Sequence, residues 1–212
     1  MLFIFDWDGT LSDSTERIVQ CMQSSAKAHK IPEPDRHQIL NIIGLGLGEA
    51  LQLLYPSYEK GQRELLSKTY SEHYVKADQN PSDFFEGVLD LLAYLRVEGH
   101  QLAVATGKSR RGLDRVLAGL SMKDYFDATR CADETASKPD PMMIHELLEE
   151  LAVEPHQAFV IGDTEYDLEM ASRAGVSSVG VSYGVHGSKR LASHKPLAII
   201  DKMCELPGVL GL

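Results

Sequence analysis

Residues 1–14 read Met1-Leu2-Phe3-Ile4-Phe5-Asp6-Trp7-Asp8-Gly9-Thr10-Leu11-Ser12-Asp13-Ser14, and the reading of this stretch decides the fold. Leu2–Phe5 is a short apolar run of the kind that forms a buried strand. It runs directly into Asp6 and Asp8, two carboxylates two residues apart, and then into Gly9, which permits a tight turn. In an open parallel sheet, ligands are met at the carboxyl ends of the strands. The two acids are therefore placed for chemistry. Trp7 lies between them on the opposite face of the strand, where packing is its expected role.

Similar runs recur at Gln101–Ala105, Ala158–Ile161 and Val176–Val181. Helix-like segments separate them: Glu86–Glu98, with Val88, Leu91, Leu92 and Leu95 on one face and Gly99 as its stop, then Pro141–Leu151, then Tyr166–Ala174 ended by Gly175. Strands alternating with helices predict βαβ units and a parallel sheet covered on both faces. The stretch from Ser14 to Asn80 differs. It holds no strand pattern; Ile18, Cys21, Met22, Ser25 and Ala26 fall at helical spacing, and Leu47–Tyr55 and Glu59–Lys76 read as further helices. Asn80-Pro81-Ser82 punctuates its end. The expected architecture is an α/β, Rossmann-like parallel-sheet core (residues 1–13 and 81–212) with a small all-helical unit (14–80) inserted after the first strand.

Two stretches imitate nucleotide-binding motifs and fail on spacing. Gly44-Leu45-Gly46-Leu47-Gly48 lacks the third glycine of a dinucleotide fingerprint, since position 49 is Glu49, and its flanks are helical. It reads as a turn between helices. Thr106-Gly107-Lys108-Ser109 ends like a P-loop, but the leading glycine would fall at Leu102.

The chain has 212 residues, 43% hydrophobic and 25% charged, with a formal net charge of −10. Such an acidic chain lacks the basic footprint of a sequence-independent nucleic-acid binder and suits an anionic membrane no better. An anionic substrate would need local cancellation of that charge. Cys21, Cys131 and Cys204 are sparse and odd in number, which argues against a disulfide framework or a zinc site. The N-terminus has no basic leader, and no segment approaches about 20 consecutive apolar residues. A cytoplasmic protein, monomeric or weakly dimeric, is expected, with neither nucleic acid nor membrane as partner.

The strand ends carry the remaining signal. The first ends in Asp6 and Asp8, the second in Thr106-Gly107, the third in Gly162-Asp163-Thr164-Glu165-Tyr166-Asp167, and Ser137-Lys138-Pro139-Asp140-Pro141 lies between the last two. Several carboxylates in one pocket raise one another's pKa or recruit a cation, and hard oxygen donors suit Mg²⁺. A lysine and a hydroxyl at the same face suit phosphoryl oxygens. An aspartate beside the cation can attack phosphorus, and a second acid can serve the leaving oxygen and then water.

In that order FDWDGTLSDS, VATG, SKPDP and IGDTEYD resemble the four motifs of the haloacid dehalogenase superfamily. The helical insertion after the first motif resembles the cap of its phosphoglycolate phosphatase-like branch. The resemblance spans nearly the whole chain. It implies Asp6 as nucleophile and Asp8 as general acid/base, the latter also lending its backbone carbonyl to Mg²⁺. Thr106 and the Gly107 amide would bind the transferring phosphoryl group, with Lys138 holding the phosphate and offsetting Asp6. Asp163 would ligate Mg²⁺, Asp167 would orient Lys138 or a water on the cation, and Gly9 would allow the turn beside the phosphate. Each position also has a local explanation: turn or helix capping for Asp8 and Asp13, a strand-end hydroxyl for Thr106, dipole-favoured first-turn acids for Glu165 and Asp167. The run Lys108, Arg110, Arg111, Arg115 reads as a solvated helix face, the other reading being that Lys108 or Arg110 touches substrate.

An acid at position 8 favours phosphate esters over carbon–halogen or phosphonate cleavage, and capped members act on small phosphorylated metabolites. The expected activity is Mg²⁺-dependent hydrolysis of a small phosphate monoester through an aspartyl-phosphate. The alternatives are a sugar-phosphate mutase or a metal- and phosphate-binding interaction module without turnover. Asn41–Ala50 holds no basic residue to clamp a second phosphate, which disfavours the mutase.

Overall fold

The structure, a computed structural model, describes residues 1–78 and 82–212. The predicted punctuation at Asn80-Pro81, and with it the boundary between 80 and 81, lies outside the described residues.

The apolar run Leu2–Phe5 is strand β1, fully buried. It pairs in parallel with β2 (Gln101–Thr106) on one side and with β4 (Ala158–Gly162) on the other, so the acids that follow it emerge at the middle of the sheet. The sheet continues through β3 (Ala128–Cys131), β5 (Ser177–Val181) and β6 (Ala198–Ile200) in the order β3-β2-β1-β4-β5-β6, every described pairing being parallel. Strands β3 and β6 escaped the sequence reading. β3 is Ala-Thr-Arg-Cys, with Arg130 turned outward to Glu146 and Glu150, and β6 is three residues long.

Alternation along the strands supplies both faces. Phe3, Phe5, Leu102 and Val104 pack with Val88, Leu91, Leu92 and Leu95 of α5 (Val88–Val97), with Leu113, Val116 and Leu117 of α6 (Arg110–Gly119), and with Leu206 of α10 (Leu206–Leu210). Leu2, Ile4, Ala103 and Ala105 pack on the other face with α7 (Met142–Glu150) and α8 (Glu165–Arg173). Short helix α9 (Ser188–Ala192) follows β5. Trp7 is buried against the edges of Phe84 and Phe126, as its position between the acids predicts.

Residues 15–77 hold α1 (Thr15–Ala28), α2 (Arg36–Leu40), α3 (Leu47–Leu54) and α4 (Lys60–Ala77). These build an apolar cluster of their own around Ile18, Met22, Ala26, Ile39, Leu51, Leu66 and Tyr74. Burial of that face, rather than intrinsic propensity, holds such short helices in place. The chain leaves the core and returns to it along neighbouring paths: the Asp13 amide donates to the Asp83 carbonyl, and the Phe85 amide to that of Leu11. Among the described residues no helix is long and apolar enough to cross a membrane.

Candidate active site

β1 delivers Asp6 into the interior. Its carboxyl is 2% exposed; Oδ1 accepts from Lys138 Nζ at 2.5 Å, and Oδ2 is buried with no hydrogen-bond partner among the described residues. β4 delivers Asp163, and the first turn of α8 delivers Asp167. One carboxylate oxygen from each of Asp6, Asp163 and Asp167 lies within 4.8 Å of the others. Lys138 Nζ bridges Asp6 and Asp167, the latter at 2.6 Å, with no exposure of its side chain. A buried ammonium survives only when paired; here two carboxylates hold it.

The other acids are fixed by their neighbours. Asp163 Oδ1 accepts from Thr10 Oγ1 at 2.9 Å, and Oδ2 from the Val185 amide at 2.8 Å. Asp167 is held through both of its oxygens. Its Oδ2 accepts from Thr164 N and Oγ1, closing a capping box on α8, while its Oδ1 takes the Lys138 ammonium. Burial pushes the carboxyls of Asp6 and Asp163 upward against the pull of their partners, Asp163 to about 7 with the Asp167 charge as the next cause. Three buried carboxylates around one ammonium, one oxygen unpartnered, with only oxygen donors, fit a hard divalent cation.

Thr106 ends β2 with its hydroxyl buried; Oγ1 accepts from the Lys108 amide at 3.2 Å, which leaves its own proton to donate elsewhere. Gly9 adopts φ +88°, a conformation costly for other residues, and a Cβ there would lie 2.2 Å from Asp163 Oδ2. Its amide donates to the Ser12 carbonyl, so Gly9 serves the turn that lets the first and third motifs touch. Asp8 turns away from the carboxylate group. Its Oδ1 accepts from Ser14 Oγ at 2.5 Å and faces Lys108 Nζ at 2.8 Å.

The solvated-face reading of the basic run fails for all but Arg111. The turn before α6 directs Lys108 inward, where its side chain is 9% exposed between Asp8 and Tyr74. Arg110 binds Glu134 and Thr129, and Arg115 pairs with Asp78. Tyr74, Asp78, Thr10, Ser137 and Val185 contribute to the site or its walls without having been singled out. Thr10 lay within the first motif; Tyr74 carried no local signal, because its position depends on how α4 lies against the core.

The loop at Gly44–Gly48 presses onto the strand ends. The Gly46 amide donates to Ser137 Oγ at 2.8 Å, Asn41 accepts from Tyr166 Oη and from Arg190, both at 2.7 Å, and the carbonyls of Gly44 and Leu45 abut Gly107. A Cβ on Gly107 would fall 2.5 Å from the Leu45 carbonyl oxygen, a backbone atom with no rotamer to escape by. Gly107→Ala is therefore expected to lift this loop, raising KM about tenfold and costing about 1–3 kcal/mol of stability. Steady-state kinetics and urea unfolding check it; unchanged values in both would show that the loop has slack.

The sequence profile of haloacid dehalogenase-like hydrolases matches residues 3–181. The chain is 33% identical over 211 residues to the probable phosphatase IndB of Dickeya dadantii, covering 98% of this chain and 92% of that one. It is 29% identical over 217 residues to the phosphoglycolate phosphatase of Rhodospirillum rubrum, covering 98% and 90%. Among solved structures, a hydrolase from Pseudomonas syringae superposes with a TM-score of 0.90 at 25% identity, covering 100% of this chain and 98% of that one.

Proposed function

The chain belongs to the haloacid dehalogenase-like hydrolase family and is a phosphatase, and from that premise we propose that it hydrolyses a small phosphate monoester through an aspartyl-phosphate on Asp6. One observation supports this above the rest: Asp6 Oδ1 is tied to Lys138 while Oδ2, buried beside it, has no partner among the described residues. A carboxylate so held has one oxygen for orientation and one for attack.

In this reading Asp6 Oδ2 attacks phosphorus as the bond from phosphorus to the ester oxygen breaks. Asp8 gives the leaving oxygen its proton. Asp8 then takes a proton from water, whose oxygen attacks the same phosphorus; the bond to Asp6 breaks, phosphate leaves and the carboxylate is restored. Thr106 Oγ1, the Gly107 amide and Lys138 hold the phosphoryl oxygens. Helices α1–α4 act as a cap that keeps bulk water from the intermediate. Asp6, Asp163, Asp167 and the Asp8 carbonyl would hold Mg²⁺. Bound there, the cation would offset the repulsion between the carboxylates and an incoming phosphate.

The test is phosphate release from a panel of small monoesters (phosphoglycolate, sugar phosphates, nucleotides), with Mg²⁺ and with chelator. Release that needs Mg²⁺ is expected. Transfer to a sugar phosphate without net release would replace this reading with a mutase, and no turnover on any ester would replace it with a binding module.

Cation binding has its own signature. The Asp163 carboxyl titrates near 7 when folded and near 3.9 when unfolded. Between those values the native state binds the extra proton, so without cation this group's contribution falls as pH rises from about 4 to about 7. A cation needs the ionised form and binds more tightly across the same rise. MgCl₂ should raise the melting temperature more at about pH 8 than at about pH 6, and hardly at all in Asp163→Asn. Equal shifts at both pH values, or in the variant, would place the cation elsewhere.

A further inference from the structure

Lys108 belongs to none of the groups that would touch the transferring phosphoryl, yet its side chain is turned inward and its ammonium is held between two partners. Its ammonium lies 2.8 Å from Asp8 Oδ1 and 3.2 Å from the Tyr74 hydroxyl, 4.8 Å from the centre of the Tyr74 ring. Asp8 sits on the sheet side, just past β1. Tyr74 sits near the end of α4, in the inserted helices. One lysine thus joins the acid that follows the nucleophile to a helix from the other unit.

The position of Tyr74 is itself secured. One turn further along, Asp78, 2% exposed at its side chain, pairs with Arg17 of α1 and with Arg115 of α6 at 3.3 Å. Arg115 also lies 6.0 Å from the Tyr74 ring. The end of α4 is therefore fastened to the core helix that Lys108 precedes. Moving α4 away would remove the Tyr74 hydroxyl from Lys108 and leave the ammonium with Asp8 and water as its remaining partners.

We propose that Lys108 is a positioning residue for Asp8, and that Tyr74 holds Lys108 in place when α4 lies against the core, so that closure of the inserted helices and seating of the acid/base are one event. The inference rests on the reading of Asp8 as the group that protonates the leaving oxygen. Loss of the lysine frees the Asp8 carboxylate to turn about Ser14. The cost appears where a proton must be delivered in the transition state and not where substrate is bound.

Leaving-group dependence isolates this. An alkyl phosphate needs its leaving oxygen protonated; 4-nitrophenyl phosphate does so far less. Both esters are assayed with wild type, Asp8→Asn, Lys108→Met, Lys108→Arg and Tyr74→Phe, at saturating Mg²⁺, with melting curves for each. Lys108→Met should lower kcat for the alkyl ester about tenfold and for the aryl ester less than about threefold, with KM unchanged. Lys108→Arg should recover part of the loss. Tyr74→Phe should show the same bias more weakly and add nothing to Lys108→Met, the mark of a shared path. Equal losses on both esters, or none, while Asp8→Asn discriminates between them, would overturn the role of Lys108 and leave that of Asp8 standing. No discrimination by Asp8→Asn would overturn both. Should Lys108→Met fail to fold, Tyr74→Phe decides: absence of the bias there overturns the proposal.

Discussion

Asp6→Asn is expected to abolish phosphate release, by at least about a thousandfold, while leaving the fold as stable as before or more so. The amide keeps the shape of the carboxyl but is no nucleophile. Stability moves the other way because Asp6, Asp163 and Asp167 crowd one another, and burial disfavours the charge on the Asp6 carboxyl. Removing one charge relieves that repulsion, and Lys138 retains Asp167 at 2.6 Å. Without added cation, the urea midpoint of Asp6→Asn should equal or exceed that of wild type, the exchange of stability for activity expected of a strained site. Residual activity within tenfold of wild type would exclude Asp6 as the attacking group.

Lys138→Met should lose both properties. The substitution fits an apolar chain of similar length into the site, but it leaves Asp6 and Asp167 buried without their cation. Breaking a buried pair from one side costs about 3–5 kcal/mol, and the phosphoryl group loses a charged holder as well. Unfolding in urea at neutral pH without cation measures the first effect and phosphate release the second. The two variants thus shift stability in opposite directions although their side chains touch. A Lys138→Met protein with an unchanged midpoint would mean that the carboxylates pass their charge to solvent, and the burial argument would fall with it.

What could be read in the sequence follows from the range of the interactions. β1, β2, β4 and β5 were legible because their apolar runs are buried on both faces, and the acids at their ends because a strand end fixes where a side chain emerges. β3 was not, since its two central residues are only partly buried and Arg130 is committed to ion pairs on α7. Lys108 was misjudged for a related reason. Its neighbour Arg111 does lie on the open face of a helix, but Lys108 precedes that helix, and its direction is set by Asp8, a hundred residues earlier, and by Tyr74 across the inserted unit. Local pattern carries no information about such a partner.

The central place of β1 also has a consequence for how the chain acquires its fold. Leu2 pairs with Gln101 on one side and Ala158 on the other. During synthesis the first strand emerges long before either neighbour, an apolar segment with two open edges. The inserted helices, whose buried apolar cluster is drawn from Ile18 to Tyr74, can begin to assemble meanwhile on local contacts. Asp6, the proposed nucleophile, is thus made well before the strands that seat it, and a nascent chain remains without its first strand in register until β4 has left the ribosome.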